Sequence, residues 1–176
     1  MDNVLAIYRE GLKERVKKNV PKFAPEAVHT APILALLLEP DNSGAAQSLI
    51  VQVHNDDPTA RRTLKMIKKV GLDLNQHVLW NFYSSFEAKT KPRSFWEKEA
   101  ETLTKIMPNL EVVLAFGNDT WLGMQHVELP RRVVLIGAPH PSDRGVNPNK
   151  KLAEDRLERA WARAKLLIDG CRENCL

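Results

Sequence analysis

Four short, largely apolar runs constrain this chain most: ILALLL at 33–38, HVLWNF at 77–82, EVVLAF at 111–116 and VVLI at 133–136. They are rich in leucine and β-branched residues and do not alternate with polar ones, the pattern of strands buried on both faces. Around them the apolar residues fall at helical spacing instead. Val4, Leu5, Tyr8, Leu12 and Val16 mark a first helix. Leu64, Ile67 and Val70 mark a second, which Asp57 would cap and Pro58 would open. Phe95, Trp96, Ala100, Leu103 and Ile106 mark a third, stopping before Pro108. Leu152, Leu157, Ala160, Trp161, Ala164 and Leu167 mark a long terminal helix. Strands alternating with helices need crossovers, and these cover both faces of the sheet. The expected fold is α/β: a three-layer α/β/α sandwich around a central, mostly parallel four-stranded sheet. The length of 176 residues suits a single domain over residues 1–176.

In such sheets ligands bind beyond the carboxyl ends of the strands. That rule selects residues 39–44, 81–85, 117–120 and 137–144 as the places to look for function. Charge adds little. The 26 basic and 22 acidic residues leave a net +4, compatible with a nucleic-acid partner without demanding one. Basic residues gather at Lys13, Arg15, Lys17, Lys18 and Lys22, and again at Arg156, Arg159, Arg163 and Lys165. At helical spacing such groups ordinarily form a solvated face. No apolar run approaches the roughly 20 residues needed to cross a bilayer. The charged N-terminal segment is unlike a secretory signal, so the expected location is cytoplasmic. Cys171 and Cys175 offer too few ligands for zinc or an iron–sulfur cluster and read as two free thiols in a frayed tail.

The segment VVLIGAPHPSDRGVN, residues 133–147, is the most informative. A buried strand runs into His140, which Pro139 and Pro141 flank, so its backbone is stiff and its imidazole aimed. A rigid histidine at this edge suits an electrostatic catalyst or a ligand clamp, although it could also only cap a loop. Ser142 lacks the Gly-x-Ser-x-Gly elbow of a nucleophile.

His140-Pro141-Ser142, behind a strand and ahead of a basic residue, resembles the second signature motif of the uracil-DNA glycosylase superfamily. In that family the histidine hydrogen-bonds uracil O2 and stabilises charge on the leaving base, while the next loop wedges into the minor groove. The resemblance implies a catalytic His140 and a Ser142 that contacts substrate and DNA. It puts the wedge at Arg144, between Asp143 and Gly145, all three against DNA; an arginine is similar to what single-strand-selective members place there. Asn81 matches the asparagine that reads the Watson–Crick edge of uracil. Its amide can donate to O4 and accept from N3–H, which cytosine cannot reciprocate. Asn81 could equally tie down a loop at its strand end. The stretches LTKIMPNLEVVLAFGNDTW and HNDDPTARRTLKMIKKVGL also resemble family segments, so the likeness covers residues 32–165.

Two places depart from the family pattern. In ALLLEPDNSGAAQS the usual Gly-Gln-Asp-Pro or Gly-Glu-x-Pro-Gly is broken. Glu39 matches the second position, as a substrate contact, and Pro40 stands where members have Asp, Asn or Ala. The group that orients water is then expected at Asp41, next Asn42, then Glu39; the same residues can form an Asp-Asn-Ser-Gly turn. Ile50 falls where relatives carry a phenylalanine that stacks on the base, a role Phe82 or Tyr83 could take instead. The resemblance implies a monofunctional glycosylase that flips uracil or a related deaminated base out of DNA and hydrolyses its N-glycosidic bond. It implies no metal or cofactor, and the enzyme is expected to act as a monomer. Two other readings stay open: a glycosylase-like module that binds DNA or a damaged base without cutting, and a small-molecule hydrolase on the same scaffold.

Overall fold

The computed structural model describes residues 2–40, 44–86, 90–142 and 149–173, the last three by backbone alone. Helix α1, Asn3–Val16, starts at Asp2, whose Oδ1 accepts from the Val4 and Leu5 amides at 2.9 and 3.2 Å. Strand β1 (Lys22–Phe23) and strand β2 (Ile33–Leu37) lead to helix α2 (Gly44–Ser48), strand β3 (Ile50–Val51) and helix α3 (Pro58–Val70). A 3-10 turn at Leu74–Gln76 precedes strand β4 (His77–Asn81) and helix α4 (Arg93–Lys105). Strand β5 (Val112–Phe116), helix α5 (Asn118–Met124), strand β6 (Val134–Ala138) and helix α6 (Lys150–Glu173) complete the order.

The local chemistry explains the boundaries. Asp57 Oδ1 accepts from the Ala60 amide at 2.8 Å, Pro58 occupies the first turn of α3, and Gly71 ends the helix at φ 69°. Helix α4 stops short of Pro108, as its spacing predicts. All four expected strands are present; the last runs on to Ala138 instead of ending at 136. Helix α6 continues to Glu173, so Cys171 lies on helical backbone and not in a frayed tail, while Cys175 falls outside the described residues.

The central sheet has the order β4-β2-β5-β6 and every pair in it is parallel. Crossing from β2 to β4 runs one way along the sheet; crossing on to β5 and β6 runs the other. With right-handed crossovers that reversal puts α3 on one face and α4 and α5 on the opposite one. The packing agrees. Helix α6 packs with α3 and against β5 and β6. Helix α1 joins α4, where Arg15 makes a two-pronged contact with Glu99 at 2.8 and 2.7 Å and the Tyr8 hydroxyl donates to the Glu99 carbonyl. The result is the expected three-layer sandwich.

Every residue of β2, β4 and β5 is buried, which is why those runs are apolar without alternation. Each fully buried Val or Leu there contributes about 1.5–3 kcal/mol. Strand β6 is only partly covered. No described helix is long and apolar enough to cross a membrane. The connections leave β2 and β5 in opposite directions, so the chain opens a crevice beyond their carboxyl ends.

Candidate functional site

A cleft of about 1310 Å³ occupies that crevice. Residues 38–40 after β2, 117–121 after β5, 137–140 at the end of β6 and one side of α6 line it. Beside it a narrow recess of about 50 Å³ sinks towards β2 and β4. Leu37, Ala45, Val51 and Leu79 form its apolar surface, and Gln52, Asn55, Asp57 and Asn81 its polar one. Glu39, Pro40, Thr59 and His140 line both spaces, so the recess opens into the cleft.

Asn81 ends β4 opposite Leu37 and is 2% exposed. Its backbone carbonyl is committed. Beyond it the ladder continues with Phe82 N–H to Leu37 O at 2.7 Å and Tyr83 N–H to Leu38 O at 2.8 Å, and Ser84 Oγ donates to the Asn81 carbonyl. The side chain is not committed in the same way, since Oδ1 is buried without a hydrogen-bond partner. An unmade bond at such a group costs about 1–3 kcal/mol, so Oδ1 is an acceptor left to be satisfied beside the recess. The loop is tied down by backbone, and the amide acceptor is left over.

His140 is positioned from three directions. The Ser142 amide donates to its Nδ1 at 3.2 Å, so the neutral ring carries its proton on Nε2 and presents a donor there. Gly117, at φ 88°, lies against the ring: a Cβ at that position would sit 3.4 Å from His140 Cβ and 3.7 Å from Cδ2. The Gly117 amide in turn bonds the Ala138 carbonyl at 2.8 Å, joining the ends of β5 and β6. Finally Arg62, from α3, donates to the Pro141 carbonyl and stands 3.7 Å from Glu154 of α6.

The recess wall facing α3 is a polar network. Gln52 Nε2 donates to Asn55 Oδ1 at 3.1 Å, and Asn55 Nδ2 donates to the Ile50 carbonyl at 2.9 Å. Gly44 approaches Asp57 so closely that a Cβ would lie 2.1 Å from its Oδ2. Only glycine fits there, which holds the start of α2 on the cap of α3.

The structure brings Asn81, Glu39 and His140 together at the recess and places Ser142 in the adjoining cleft. Ile50 lines neither space; it pairs with Lys22 in the small β1–β3 sheet, and Val51, its neighbour, faces the recess. Adjacent strand residues point to opposite sides, so Val51 and not Ile50 lines the recess. Phe82 and Tyr83 do not replace it. Phe82 is buried against Gly123, and Tyr83 packs edge-on to Phe82 and Trp96. Asp41, Asn42, Asp143, Arg144 and Gly145 lie outside the described residues.

Sequence reasoning missed Arg62 and the Gln52–Asn55 pair, and it selected 117–120 by the strand-end rule without giving Gly117 a role. Gly117 carried a signal, a glycine directly after a buried strand; Arg62, 79 residues from its partner, carried none. No protein-family model matches this chain, and no curated protein matches it.

Proposed function

We propose that this chain is a monofunctional DNA glycosylase of the uracil-DNA glycosylase type, which excises uracil or a related deaminated base by hydrolysing the N-glycosidic bond. One observation carries the reading: a buried, unpartnered amide acceptor on Asn81 and an Nε2–H donor on His140 meet at the same recess. Those are the groups needed for the Watson–Crick edge of uracil and for its O2.

The chemistry follows from those positions. A base rotated out of the stack, at a cost of a few kcal/mol, enters the recess from the cleft. Asn81 Oδ1 accepts from N3–H and its amide N–H donates to O4, whereas cytosine has no N3–H to give. As the bond from C1′ breaks, its electron pair stays on the base and spreads onto O2, where His140 donates. The donor is fixed beforehand by Ser142, Gly117 and Arg62, so it needs no reorganisation as charge develops. Water then adds to the sugar cation and gives up a proton, which the base anion takes up. Glu39 stands at the recess mouth, and Asp41 and Asn42 follow it in the chain; this short segment orients the water. The products are the free base and an abasic site. The chain acts as a monomer in the cytoplasm, with DNA as its partner and with neither metal nor cofactor.

The deciding assay uses labelled oligonucleotides carrying uracil, hypoxanthine or xanthine, single- and double-stranded, with alkali to reveal abasic sites. A product that vanishes in His140→Ala supports the glycosylase and identifies its base. Pro40, in the altered first motif, favours one other reading, a module that binds without cutting. Retained DNA binding with no product from any substrate would replace the first reading with that one.

A further inference from the structure

The recess accounts for a base and leaves most of the cleft without a role. One wall of that cleft is α6, which presents Arg156, Arg159 and Arg163 to it, all three exposed. Their spacing of three and four residues makes one stripe along the helix. Helix α6 sorts its charges by side. Glu154 and Glu158, also four apart, turn towards α3 and meet Arg62 and Lys69 there. Arg9, Arg15, Arg61, Arg62 and Arg93 all sit beside carboxylates. Among the described residues none of the three cleft arginines has such a partner. Three unneutralised guanidiniums along one wall concentrate positive potential there, while Glu39 and Asp119, at the strand ends, keep an anion to the α6 side.

The cleft also holds an aromatic surface. Trp80, Trp96 and Trp161 are at most 1% exposed. Trp121 is the fourth tryptophan; it is half-buried, lies over Gly137 and lines the cleft. A cationic wall beside an accessible aromatic ring is the combination that binds unpaired strands, the charge following the backbone and the ring stacking on a base.

We infer that this cleft is a track for single-stranded nucleic acid, with Arg156, Arg159 and Arg163 on successive phosphates and Trp121 on an unpaired base. The stripe spans about 10 Å at roughly 1.5 Å per residue. Neighbouring arginines on such a stripe stand about 5–6 Å apart, so each can meet a different phosphate of one strand. A duplex keeps its base faces stacked on one another and has none to give Trp121. The inference takes its partner from the reading of the recess, but binding along the track requires no cleavage.

The test uses the full chain and unmodified oligonucleotides, single-stranded and duplex, which contain no base to excise. Tryptophan fluorescence reports Trp121, since the other three indoles are buried, and Trp121→Phe confirms the source. Single strands are expected to quench this signal and to bind about tenfold or more tighter than duplex at low salt. In R156Q/R159Q/R163Q the slope of log affinity against log salt should fall by about 2, at roughly 0.7 per lost contact. The control K13Q/K17Q, at the C-terminal end of α1, should leave it unchanged. A slope unaffected by the triple substitution, equal quenching by duplex, or no binding to either would overturn the track. Far-UV circular dichroism checks that the variants fold. Absent cleavage with an intact track sinks the glycosylase alone; an absent track with intact cleavage sinks this inference alone.

Discussion

The two edge strands of the sheet each lead to a candidate site residue, yet they are built differently. Strand β4 is an edge in hydrogen bonding only. The short β1–β3 pair packs beside it, Phe23 stacks on Trp80 with ring centres 3.8 Å apart, and all five β4 residues are buried. Strand β6 is partly open along its length. Asn81 therefore inherits its position from the core. His140 gets its position from a few contacts made after the strand has ended: Gly117, the Ser142 amide and the clamp of Arg62. On the proposed reading, the group that reads the base is set in the rigid part, and the group that acts on the leaving base sits where contacts can be altered without unfolding the sheet.

The strongest way to press this difference is His140→Ala. Loss of one preorganised donor to a developing anion typically costs about 2.7–4 kcal/mol in the transition state, a 10²–10³-fold drop in rate. The melting temperature should barely move, since the ring is half-buried on an open edge. Single-turnover cleavage and thermal melting on one preparation check both parts. A large loss of stability would show that the β6 end supports the fold as the β4 end does.

Asn81→Ala probes the other edge with a smaller effect on rate, about tenfold to a hundredfold, because part of the base contact remains. Its thermal consequence is the more informative half. Removing a buried acceptor that has no partner also removes about 1–3 kcal/mol of unmet hydrogen bonding, which offsets the small cavity left behind. The melting temperature should hold within a few degrees. A steep fall would identify Asn81 as a structural tie.

Arg62→Gln ranks next. It releases the Pro141 carbonyl and should slow cleavage by about tenfold through His140, with uracil affinity nearly unchanged. Arg62→Lys should restore part of the rate. A matched loss of affinity would mean that Arg62 holds the recess wall and not the histidine loop.

How much of this was legible in the sequence follows the same division. Strands buried on both faces write themselves as continuous apolar runs, so β2, β4 and β5 could be located from residue types alone. Strands of two residues, β1 and β3, have no period to detect, and neither does the seven-residue α5. Strand β6 runs past its expected end because Gly137 and Ala138 add backbone pairing without an apolar side chain to announce it. In the site, Asn81 and His140 were legible because the strand-end rule needs only order along the chain. That Val51 and not Ile50 lines the recess was not, since one residue of register decides which side chain faces in. The arginines of α6 are solvent-exposed, as their spacing suggests, but only the tertiary fold reveals that their side of the helix borders a cleft.

The finest test of the two edges lies at the far end of β4, where His77 is buried against Trp161 with Nδ1 unpartnered. Burial pushes its pKa down to about 4, against a partly opposing hydrogen bond to the Asp73 backbone. The folded pKa is thus below the unfolded value of about 6.5, so between the two the unfolded chain binds the extra proton. Stability should be full above pH 6.5 and fall as pH drops towards 4. Asp2 acts lower. Burial would raise its pKa, but hydrogen bonds from His29 and the Leu5 amide outweigh that and hold it at about 2. Its contribution is complete above about pH 3.8 and is lost only as pH falls from there towards 2. The windows do not overlap, so melting temperature followed from pH 7 to 4 reports the β4 edge without Asp2. His77→Phe should flatten that slope, by removing the one group on this edge that must charge to unfold in acid. An unchanged slope would mean that β4 does not carry the acid sensitivity, and that its burial distinguishes it from β6 in packing alone.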